Sequence, residues 1–110
     1  MMLWLQAFAL TQVLEMPVYL FATRRETSWF TRFIVAFGAS ALTHPIVWFV
    51  FPKVWPFRSF FWMVVAAEIF AVVAEAFYLR WCRVPRPWVW ALVANGFSLS
   101  VGLLVRFWGA

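Results

Sequence analysis

Apolar residues fall in four runs separated by short polar breaks, and each run has the length of a bilayer crossing. Residues 2–22, 33–51, 60–79 and 88–106 come close to the ~20 mostly apolar residues that a helix needs to span about 30 Å of hydrocarbon. The breaks have loop chemistry. "TRRETSW" (23–29) is polar and charged, while "FPKVWPF" (51–57) and "CRVPRPW" (82–88) each carry two prolines, which lack the N–H a helix ladder needs. Connections this short make successive helices antiparallel neighbours. The expected fold class is an all-α integral membrane protein, a four-transmembrane-helix antiparallel bundle. Residues 1–110 then form a single membrane domain with no soluble domain.

The first run is expected to stay in the membrane as a helix and not to act as a cleaved signal. It has no basic leader and no small-residue cleavage site, and Thr11, Gln12 and Glu15 interrupt it. Composition agrees with the spans. The 110 residues are 66% hydrophobic, with nine Trp and fourteen Phe, more apolar surface than a soluble fold of this size can hide. The single cysteine, Cys82, excludes an internal disulfide and a multi-cysteine metal site within one chain.

A net charge of +5 would suit nucleic acid, but the cations sit in the short connections, where they read as topology signals beside anionic lipid. No nucleic-acid partner is expected; the partner is the lipid bilayer. The first and third connections hold Arg24, Arg25, Arg32, Arg80, Arg83 and Arg86, against Lys53, Arg58 and Arg106 on the opposite side. That asymmetry places loops 24–32 and 80–87 in the cytoplasm and both termini on the non-cytoplasmic side of a bacterial-type inner (plasma) membrane. Trp4, Trp29, Trp55, Trp81, Trp88 and Trp108 lie near the run ends, as an aromatic belt does.

The acids change the picture. There is no aspartate, and of four glutamates only Glu26 is in a loop; Glu15, Glu68 and Glu75 fall inside the apolar runs. A carboxylate at mid-bilayer costs on the order of 2.5–3.5 kcal/mol on insertion scales, so such a group must be protonated, paired or facing a wet cavity. Counted at ~1.5 Å per residue from the cytoplasmic ends, Glu75 lies about 8 Å deep, Glu15 about 10 Å, His44 about 16 Å and Glu68 about 18 Å.

Glu68 and Glu75, seven apart, share a helix face with Ala71 between them, and Thr11, Glu15 and Tyr19 form one stripe at i, i+4, i+8. Ser40, Thr43 and His44 come from the second run, Asn95 and Ser98 from the fourth, so every helix brings polar atoms toward a shared depth. Pro17 and Pro45 free the carbonyls of Val13 and Ala41, oxygens able to join a cation site. Ala94, Ser98 and Gly102 make a small-residue seam for close packing, either inside the bundle or at an oligomer interface. An arginine, Arg24 or Arg80, is within snorkelling reach of Glu75.

The expected function is a proton- or cation-linked transporter or channel. Its site residues are Glu68, Glu15, His44, Glu75, Asn95, Ser98 and Thr43, with Glu68 as the central exchange group. The alternatives are a membrane-embedded hydrolase acting on lipid or a membrane peptide, and a non-catalytic subunit or assembly factor. No catalytic set is assignable, no cofactor is required, and His44, Glu68 and Glu75 are the weak candidates for a metal. Homo-oligomerisation or an intramembrane protein partner is expected, since four helices enclose only a small polar centre. Length, span number and an acid in the first span parallel the small multidrug-resistance transporters. That family's other motifs do not lie on these spans, so the parallel is one of architecture.

Overall fold

The computed structural model describes residues 4–50 and 60–108, and these form the expected bundle. Helix α1 spans Trp4–Ala22, α2 Trp29–Pro45, α3 Phe60–Trp81 and α4 Pro87–Trp108. All four, α2 counted with its helical continuation to Val50, are long and apolar enough to cross a membrane, with mean hydropathy of 1.2 to 1.8 over the crossing windows. Each helix packs on its neighbours in sequence, and α4 closes the ring on α1. Thr43 meets Glu75 and Val35 meets Tyr78, rising numbers on α2 against falling numbers on α3, so this pair is antiparallel although its connection lies outside the described residues.

The second helix begins four residues before the expected position 33. Ser28 caps it, its Oγ accepting from the Thr31 N–H at 3.3 Å, which satisfies one of the free donors of the first turn. At the other end Pro45 has no N–H to give. The Ile46 N–H donates to the Thr43 carbonyl, and the chain continues through Ile46–Val50 as a π-helical turn.

α3 ends in a Schellman motif, with Val84 N–H donating to the Leu79 carbonyl at 2.9 Å and Arg83 N–H to the Arg80 carbonyl at 3.0 Å. Leu79 and Val84 are both buried, the apolar contact that accompanies this stop. Arg83 occupies the left-handed position, φ 62°, where glycine is usual and a side chain costs about 1 kcal/mol. Arg83→Gly is accordingly expected to raise stability by about 1 kcal/mol, read as a higher denaturation midpoint in detergent.

The bundle is small inside and large outside. Among the described residues the buried hydrophobics are nine alanines with Tyr19, Leu79 and Val84. Phe30, Trp62, Ile69, Leu92 and many other large apolar side chains point outward. In water that arrangement would expose far too much apolar surface; in lipid the outward groups are solvated and small residues let helices approach. The protein is an integral membrane protein. Trp29, Trp81 and Trp88 are exposed at the end that carries Arg24, Arg25, Arg32, Arg80, Arg83 and Arg86. Lys53, Arg58 and Trp55 lie outside the described residues, as do the side chains of Trp4, Arg106 and Trp108.

The small-residue seam on α4 is internal at buried Ala94 and half-buried Ser98, while at Gly102 an added Cβ would meet nothing within 4 Å among the described residues. The glycine that matters for approach is Gly38, where a Cβ would stand 2.3 Å from the Tyr78 hydroxyl. That hydroxyl donates to the Val35 carbonyl at 3.2 Å and ties α3 to α2. Gly38→Ala should therefore displace Tyr78, break this bond and cost about 1–3 kcal/mol by overpacking, measurable as a lowered unfolding midpoint.

Candidate functional site

Five side chains from three helices, Tyr19, Ser40, Thr43, Asn95 and Ser98, converge on two buried carboxylates. Glu15 and Glu75 are 2% and 1% exposed, the deepest acids of the described chain. Glu15 Oε1 accepts from Ser40 of α2 at 2.6 Å, and its Oε2 accepts from Ser98 of α4. Glu75 Oε1 accepts from Tyr19 of α1 and from Asn95 Nδ2 of α4, the latter at 3.0 Å, while Oε2 accepts from Thr43 of α2 at 2.6 Å. All four helices meet in this network, and every donor is neutral. Among the described residues no lysine or arginine pairs with either acid. Arg24 donates instead to the Phe21 carbonyl and lies 4.4 Å over the Phe21 ring, and Arg80 is exposed.

Local sequence places these groups simply. Gln12, Glu15 and Tyr19 lie at i, i+3 and i+7, the buried stripe of α1; Ser40 and Thr43 on α2, and Asn95 and Ser98 on α4, are each three apart. Spacing of one turn lets a helix serve both acids, one residue to each. Thr11, expected on the α1 stripe, is half-buried, and Gln12 takes its place. The Gln12 amide donates to the Phe37 carbonyl at 3.3 Å, and its Oε1 is buried with no partner among the described residues. Gln12 and Tyr19 were missed as site residues; one turn from Glu15 on each side, their helical spacing was the available signal.

The donors differ in their freedom. Asn95 Nδ2 gives its second hydrogen to the Ala91 carbonyl at 2.9 Å, which leaves the amide fixed toward Glu75. The Ser98 hydroxyl has one hydrogen and two acceptors in range, Glu15 and the Asn95 carbonyl at 3.3 Å. It can donate to the carboxylate, or turn to the backbone and accept a proton from a carboxylic acid. Glu75 therefore has one contact, to Asn95, that can only donate, whereas Glu15 is met by hydroxyls alone and can hold a proton without losing a neighbour.

Glu68 and His44 stand outside these hydrogen bonds. Glu68 is half-buried two turns along α3 from Glu75, in electrostatic range of both other acids. His44 packs against Phe8 and Trp48, with ring centroids 5.4 and 6.1 Å away. Among the described residues no three His, Cys, Asp or Glu side chains come together as a metal site, so His44, Glu68 and Glu75 do not form one. Val13 and Pro17 are both exposed, which puts the carbonyl freed by Pro17 on the outer side of α1, away from the network.

Comparison with protein-family models, with curated proteins and with solved structures finds no match.

Proposed function

We propose that this small polytopic membrane protein is a proton- or cation-linked transporter or channel whose exchange site is the Glu15–Glu75 network. One observation carries the reading: two carboxylates buried at the meeting point of four helices, held by neutral donors alone. Unbalanced ions in such an interior cost several kcal/mol each, so protons or a cation must supply the missing positive charge. A group that must be neutralised, yet has room to change its partner, is suited to binding and release. Glu15 is the exchanging member, with Ser98 turning between carboxylate and backbone. Glu75 is the fixed member, oriented by Tyr19, Thr43 and Asn95.

The unpartnered Gln12 Oε1 adds an acceptor one turn from Glu15 and so favours an arriving proton carrier or cation. Glu68 is the next acid toward the end away from the arginines, a relay between the network and that face. His44 lies in the same part of the bundle as a secondary polar group. The positive-inside rule sets the arginine-bearing loops in the cytoplasm of a bacterial-type inner membrane. A homo-oligomer, or another intramembrane chain, would extend the path that four helices alone enclose.

Flux in proteoliposomes tests the reading. An imposed pH or cation gradient should be dissipated by the native chain and not by the double variant Glu15→Gln/Glu75→Gln. A folded native chain that moves neither protons nor alkali cations would sink it.

A further inference from the structure

The arginine-bearing end holds a cleft of about 340 Å³ between loops 23–28 and 82–86. Arg25, Arg32 and Arg83 line it together with Thr23, Thr31 and a single acid, Glu26. Glu26 Oε1 accepts from the Ser28 N–H at 3.3 Å, and among the described residues it forms no ion pair with the three arginines. The cleft thus has three cations against one anion.

Arg32 is held from two sides. It donates to the Leu20 carbonyl at the end of α1, and its guanidinium lies 4.0 Å over the Trp29 ring. Its Nε is buried and has no acceptor. That enclosed N–H is out of a ligand's reach, so what Arg32 offers the cleft is a positive charge held in a fixed position, with little side-chain freedom left to lose when an anion arrives. Arg83 makes the same point differently. It sits at the left-handed stop of α3, where glycine would be less strained, and projects its charge at the cleft.

From this geometry we infer that the cleft binds a phosphate-bearing anion through Arg25, Arg32 and Arg83, with the Thr31 hydroxyl as a further donor. The small apolar wall, Ala22 and Val84 among it, and a place at the end of the membrane-spanning helices suit the phosphodiester of an anionic lipid headgroup. Soluble phosphate esters share the chemistry.

The test uses the full chain in nanodiscs of phosphatidylcholine doped with phosphatidylglycerol, with retained lipid counted by native mass spectrometry after release. Phosphatidylglycerol should be retained in preference to phosphatidylcholine. Arg25→Gln and Arg83→Gln should each weaken retention about fivefold, the worth of one arginine near an anionic headgroup. Arg24→Gln removes the same charge from a residue directed at Phe21 and should leave retention unchanged. Arg83→Gly should weaken retention while making the fold more stable, which separates binding from structure. Displacement by glycerol 3-phosphate would identify a soluble ester as the ligand, and resistance to it a lipid; both support the site. Equal retention of the two lipids, or equal losses for Arg24→Gln and Arg83→Gln, would overturn it.

Discussion

Glu75→Ala is expected to lower stability by roughly 2–5 kcal/mol. The figure follows from three interhelical hydrogen bonds, from Tyr19, Thr43 and Asn95, at about 0.6–1.7 kcal/mol each inside a membrane protein. Removal leaves those donors buried in an interior where water does not replace the lost acceptor. Glu15→Ala should cost less, about 1–2 kcal/mol, because it loses two bonds and the Ser98 hydroxyl can turn to the Asn95 carbonyl. Unfolding of both variants in mixed detergent micelles gives the comparison. A Glu75→Ala midpoint equal to that of the native chain would mean that the carboxylate does not hold the four helices together. Tyr19→Phe and Thr43→Val, each deleting one donor, should be sub-additive with Glu75→Ala, since they remove bonds the alanine has already broken.

How much of this was legible in the sequence differs from residue to residue. The spans were, because hydropathy over some twenty residues is a large summed signal; the early start of α2 was not, because it rests on one serine, Ser28, in a polar break with other candidate caps. The convergence of Glu15, Glu75, Thr43, Asn95 and Ser98 was visible as acids, an amide and hydroxyls in the wrong solvent. Their pairing was hidden. Depth counted from each helix's own end says nothing about how far one helix slides along the next. By counting, Thr43 and His44 lie level with Glu68, yet the Thr43 hydroxyl reaches Glu75.

Rotation is the second hidden quantity. On a helix apolar all round, as α3 nearly is, hydropathy does not mark the inward face; in this bundle alanine does, through Ala67, Ala71 and Ala76 beside Glu75. The same blindness made Gln12 look like a mere interruption of the first run. Its depth and stripe become meaningful only once Glu15 and Tyr19 are known to face inward.

Glu15→Gln is expected to leave the fold in place and reduce proton or cation flux about 100-fold or more, the lower range for losing a proton-transfer group. The amide is nearly the same shape as the acid. Its oxygen accepts from Ser40 as the carboxylate does, and its nitrogen donates to Ser98 Oγ while the Ser98 hydrogen turns to the Asn95 carbonyl. Stability should therefore stay within about 1 kcal/mol of the native chain, the scale of one such bond. What the amide cannot do is give up or take a proton, or lend negative charge to a cation. Flux and stability must then separate at position 15, whereas at position 75 alanine costs both.

Ser98→Ala sharpens the assignment, because it keeps the acid and removes the hydroxyl that turns; slower flux with normal folding is the outcome expected of an exchanging Glu15. Glu68→Gln bears on the path beyond the network. As a relay toward the far face, Glu68 should affect flux less than Glu15 does. A Glu68→Gln variant that is inactive beside an active Glu15→Gln would move the exchange centre two turns along α3. The Glu15–Glu75 network would then be the lock that holds the helices together, and the transported charge would pass through the half-buried acid that stands outside that network.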